Sequence, residues 1–92
     1  MKLVDLVRDI RKMDDDLIVF QKDKIDIDSD LLLVPADDGN KGPKRRNGTN
    51  YVYLIEIFLA KEFLEDWMQS LDYSPDARET AERLFEYAIY DA

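Results

Sequence analysis

The chain has 92 residues, 46% hydrophobic and 37% charged, with 21 Asp and Glu against 13 Lys and Arg and a net charge of −8. That length suits one domain, near the size at which a single core sustains itself without disulfides or metals, and the acidic balance argues against direct nucleic-acid or membrane binding through the overall field. His and Cys are both absent, which removes the commonest general base, nucleophile and soft metal ligand, so neither an enzyme nor a cofactor is expected.

Leu3, Leu6, Val7, Ile10 and Met13 recur at helical spacing, with Lys2, Asp5, Asp9 and Lys12 on the other side. Asp5, Arg8 and Asp9 interrupt what would be a signal-peptide core, and nowhere do about eighteen apolar residues run together, so a cytoplasmic, non-membrane protein is expected. "MDDD" breaks the helix. "LIVF", Leu17 to Phe20, reads as a strand, and the strict alternation of "KIDID" predicts a second one that continues through Leu31 to Val34 and stops at Pro35.

From Ala36 to Asn50, "ADDGNKGPKRRNGTN" has no periodicity and reads as a long, flexible, basic loop. "YVYLI" predicts a third strand, Tyr51, Tyr53 and Ile55 on one face and Val52 and Leu54 on the other, both usable as in a central strand. A helix starts near Glu56 or Ile57, with Ala60, Phe63, Leu64, Trp67, Met68 and Leu71 toward the core; Trp67 is in phase with packing. The last helix has Ser74 as N-cap, Pro75 at its first position and Asp76 at the positive end of the dipole, then Ala77, Ala81, Leu84, Phe85, Ala88 and Ile89 inward. The order α-β-β-β-α-α predicts a single α+β domain over residues 1–92, a three-stranded antiparallel sheet packed against helices.

Asp26, Asp28 and Asp30 match positions one, three and five of a calcium loop, and Asp37 falls at position twelve, but Leu31 occupies the sixth place where the turn demands Gly. No metal is expected there. Simple alternation accounts for the same residues, with Ile25 and Ile27 buried and the aspartates solvated. A third reading is phosphate mimicry: side chains two apart on a strand stand roughly 6.8 Å from one another, about two nucleotide steps of a duplex strand.

"KGPKRRNG" has neither the Gly-Lys-Ser/Thr ending nor the following helix of a P-loop, and lacks interleaved aromatics for nucleic acid, so it is expected to balance nearby aspartates. On the last helix Asp76, Glu79, Glu82, Glu86 and Tyr90 form a stripe opposite the core, with Arg83 beside it. A solvated face is the common explanation of such a stripe; Tyr73, Tyr87 and Tyr90 add aromatic anchors of the kind found at protein interfaces. The residues expected to contact a basic protein partner are Asp26, Asp28, Asp30, Glu79, Glu82, Glu86, Tyr87 and Tyr90.

The stretches "NYVYLIEIFLAKEFLEDW" and "ARETAERLFEYAIYDA" resemble small acidic bacterial immunity proteins of polymorphic and contact-dependent toxin systems. The resemblance covers residues 51 to 92 and rests on the strand-helix-helix pattern. It implies a cytoplasmic inhibitor that binds a cognate toxin, often a nuclease, at its active site or an adjacent surface. "LVDLVRDI", Leu3 to Ile10, opening an acidic chain is similar to small phage anti-CRISPR inhibitors, which place carboxylates where a CRISPR nuclease holds DNA; the basic loop departs from that pattern. A small acidic adaptor is the remaining alternative.

Overall fold

The computed structural model describes residues 1–22, 26–36 and 42–90. Helix α1 (Leu3–Asp9) tightens into a 3-10 turn (Ile10–Lys12). Strands β1 (Leu17–Lys22), β2 (Leu31–Pro35), β3 (Lys44–Arg46) and β4 (Thr49–Glu56) follow, then α2 (Ile57–Gln69) and α3 (Ala77–Tyr90). All three strand pairings are antiparallel, and the sheet order is β2-β1-β4-β3.

The α+β class is as expected, but the sheet has four strands instead of three. The added strand, β3, lies inside the stretch expected to be a loop, and residues 49 and 50 already belong to β4. A tight hairpin joins the two, with Asn47 at φ 52° and Gly48 at φ 80°. Two consecutive positive φ values define the type I′ turn, whose twist matches that of antiparallel strands and which favours Asn-Gly. Residues 37–41 of the expected loop lie outside the described residues.

The alternating "KIDID" also behaves differently. Only Leu31–Pro35 enters the ladder; Asp26 to Asp30 form a turn in which the Ser29 N–H donates to the Asp26 carbonyl at 3.1 Å. Lys24 and Ile25 lie outside the described residues.

A bulge reorganises the central strand. Val19 pairs with Ile55 and Phe20 with Tyr53, so Leu54 is the extra residue on β4. Beyond it the alternation changes phase. Leu54 and Ile55 therefore both join the main core with α1, α2 and α3, while Tyr51 and Tyr53 face the other side of the sheet with Ile18, Phe20 and Val34. Ile55 does not share the tyrosines' face, a correction to the strict alternation read from "YVYLI".

The main core buries Leu3, Leu6 and Ile10 from the first helical segment, Ile57, Ala60 and Leu64 from α2, and Ala81 and Leu84 from α3. These are the positions selected by the 3.6-residue period, and each large aliphatic chain so buried contributes about 1.5–3 kcal/mol relative to exposure. Trp67 packs against this core. No helix among the described residues is long and apolar enough to cross a membrane.

Candidate functional site

Gln21, fully buried at the end of β1, turns its side-chain amide toward the following loop. Its Nε2 donates to the Asp26 carbonyl at 2.7 Å and its Oε1 accepts the Asp26 N–H at 3.3 Å. Asp26 in turn accepts the Asp28 N–H on its carboxylate at 2.8 Å, the local bond that lets aspartate stabilise a turn. Lys2 Nζ reaches the Asp28 carbonyl at 2.7 Å and the Asp30 carboxylate at 3.4 Å. The three aspartates are exposed but do not form an extended row, because the backbone carrying them is turned. Asp26, Asp28 and Asp30 thus lie outside the strand from which the roughly 6.8 Å spacing follows. Among the described residues no group of three acidic side chains is placed to hold a metal ion, and Asp37 lies outside them.

Helix α3 is capped by Asp76, whose carboxylate accepts the Glu79 N–H at 2.8 Å. The cap was expected at Ser74, but α3 begins at Ala77, so the adjacent Asp76 occupies the position from which a short carboxylate reaches the third helical N–H. Thr80, buried beneath, returns its hydroxyl to the Asp76 carbonyl at 2.8 Å.

The like-charged stripe is interleaved with partners. Glu79 accepts a short hydrogen bond from the Tyr73 hydroxyl. That bond, reinforced by the charges of Glu79, Asp72 and Asp76, raises the Tyr73 phenol above its usual range. Glu82 faces Arg78 Nε at 3.5 Å and Glu86 faces Arg83 Nη1 at 3.3 Å. Arg83 also lies over the Phe63 ring, 4.8 Å from its centroid.

Arg78 does more than offset its own helix. Its Nη1 donates to Asp28 Oδ1 at 2.9 Å while its Nε faces Glu82, and Asp28 first and Glu82 second hold the guanidinium protonated. Two groups of carboxylates fifty residues apart in sequence thereby meet on one surface. Asp26, Asp28, Asp30, Asp76, Glu79, Glu82 and Glu86 outnumber the intervening Lys2, Arg78 and Arg83, so the face keeps a negative excess.

Tyr90, the last residue of α3, is 79% exposed and Tyr73, ahead of its first turn, 51%, so the two stand at opposite ends of the acidic helix. Tyr87 stands apart. Its ring stacks on Phe63 with centroids 4.0 Å apart and packs against the core, so much of its apolar surface is already used. Tyr73, named with Tyr87 and Tyr90 as an aromatic anchor but left out of the expected contacts, stands in the polar turn three residues ahead of the Asp76 cap. No protein-family description, curated protein or solved structure matches this chain.

Proposed function

We propose that this chain is a non-enzymatic inhibitor of the immunity type, cytoplasmic, whose acidic face engages the basic surface or active site of a nuclease-type toxin. The observation that carries this reading is the Asp28–Arg78–Glu82 link, which joins loop 26–30 and α3 into one negative surface flanked by exposed Tyr73 and Tyr90. Complementary charge of this kind speeds encounter, and aromatic side chains at the contact slow dissociation. The absence of His and Cys supports contact over catalysis.

Arg78 has a defined part in this mechanism. It already occupies Asp28 and Glu82, so an incoming Arg or Lys competes with it for the same carboxylates. Titration into nuclease domains of contact-dependent toxins tests the proposal. One domain should lose DNA or RNA cleavage at a one-to-one ratio, with association slowing on the order of tenfold as salt rises. Joint replacement Glu82→Lys and Glu86→Lys should slow association further while the melting curve keeps its shape, and Arg78→Ala should accelerate it. Cleavage untouched in every domain, or association indifferent to salt and to all three changes, overturns the proposal.

A further inference from the structure

The first helical segment and α2 enclose a half-open groove of about 950 Å³ between them. Its floor is apolar: Ile10 and Leu64 are buried, and Val7 and Met68 are partly exposed. Its rim carries Arg8, Arg11, Lys12 and Lys61, against only Asp9 and Glu65. In a chain of net charge −8, the four cations of this rim face two carboxylates within the groove and two, Asp5 and Asp15, just outside it, which offsets the acidic excess locally.

Two of those cations are committed elsewhere. Lys61 Nζ donates to the Met13 carbonyl at 2.5 Å and to Asp15 at 2.6 Å, and Arg8 stands 3.7 Å from Asp5. Arg11 and Lys12 have no ion-pair partner among the described residues and lie exposed on the 3-10 turn. None of the groove's lining residues belongs to the acidic face.

We infer that this groove docks an acidic amphipathic helix of a partner protein. The apolar residues of such a helix, at positions i, i+3, i+4 and i+7, would seat between Val7 and Ile10 on one wall and Leu64 and Met68 on the other. Flanking Glu or Asp would meet Arg11 and Lys12. Sites for small amphiphiles bury 70–90% or more of the ligand, and a half-open groove does not enclose one to that extent. A docked helix keeps its polar face in water. The site is independent of the inhibitor reading, which uses other residues and the opposite charge.

The probe is a fluorescent, helix-stapled peptide of about 14 residues with Leu along one stripe and Glu elsewhere, measured by anisotropy. Saturable binding should weaken with salt and should fall on the order of tenfold in Arg11→Glu/Lys12→Glu. It should be indifferent to Glu82→Lys/Glu86→Lys, which separates this site from the acidic face. Circular dichroism melts establish that both variants are folded, as their exposed positions predict.

Absence of saturable binding overturns the inference. So does equal binding of a scrambled peptide with the same charge and no apolar stripe, or equal binding by Arg11→Glu/Lys12→Glu. Displacement of the peptide by laurate at stoichiometric concentration would assign the groove to a small anionic amphiphile. Concentration-dependent dimerisation abolished by Arg11→Glu/Lys12→Glu would assign it to a second copy. Either result also overturns it.

Discussion

Gln21 shows how a single buried side chain sets the geometry of an exposed surface. An amide with no access to water must find partners, and among the described residues Gln21 finds them in the N–H and carbonyl of Asp26, so Asp26 is held beside β1. Gln21→Leu preserves volume roughly but leaves that backbone without its anchor. A cost of about 1–3 kcal/mol is expected for the lost pairing, read as a lower urea midpoint with unchanged slope; an unaltered midpoint would mean that water replaces the amide without penalty. Tyr73 offers a second residue-scale test, through its proton. Its folded-state pKa is raised above the ordinary 10.0, chiefly by the bond to Glu79. The folded state thus holds the proton more tightly than the unfolded chain does. The stability this link contributes is fully present below the unfolded value and is lost as pH climbs through the raised folded one. Phenolate absorbance should show a late-titrating tyrosine that Tyr73→Phe removes and Glu79→Gln moves back toward the ordinary range. Persistence of the late phase in Glu79→Gln would exclude the carboxylate as its cause.

Among the elements, the β3–β4 hairpin is the one whose stability hangs on two residues. Gly48 is open to space around its missing Cβ, so any cost of Gly48→Ala comes from φ +80° and not from a clash. Where φ is positive, alanine is destabilising by about 1 kcal/mol or more. Because β3 lies at the edge of the sheet and, among the described residues, pairs with β4 alone, amide exchange should accelerate at Lys44–Arg46 and spare α2 and α3; unchanged exchange there would show the turn is not what holds the strand. This hairpin also marks where sequence reading fell short. Lys44, Arg45 and Arg46 look like loop, yet charge suits an edge strand, where it discourages pairing with another chain. The legible signal was Asn47-Gly48 before a β-rich run. Conversely, "KIDID" alternates like a strand, but Asp26 bonds locally to Asp28 and the chain turns. Helices were more legible, since the spacing of Leu3, Leu6 and Ile10 or of Ala60 and Leu64 encodes their buried faces directly. For the site, the helical stripe from Glu79 to Glu86 was readable as spacing. Its meeting with Asp28 was not, because that depends on a tertiary contact made by Arg78.

At the scale of the whole molecule, two electrostatic effects oppose each other, and their magnitudes decide which wins. In the ion pairs Lys2–Asp30, Arg8–Asp5, Arg78–Asp28 and Arg78–Glu82 both side chains are half exposed or more, and in Arg83–Glu86 the carboxylate is exposed while Arg83 is partly covered. Exposed pairs generally contribute little, and salt screens them. Against them stands the mutual repulsion of a chain at net −8, which salt also screens. The repulsion is summed over the surface and should dominate. Raising potassium chloride from roughly 20 to 200 mM shortens the screening length from about 20 to 7 Å, so the melting temperature should rise; in a domain of this size each kcal/mol corresponds to about 4–8 °C. Glu82→Lys/Glu86→Lys brings the net charge to about −4, each replacement adding two, and should flatten that dependence even though it breaks two pairs. A melting temperature that falls with salt would mean that the exposed pairs outweigh the repulsion, and that the acidic face is held together more strongly than its own charges push it apart.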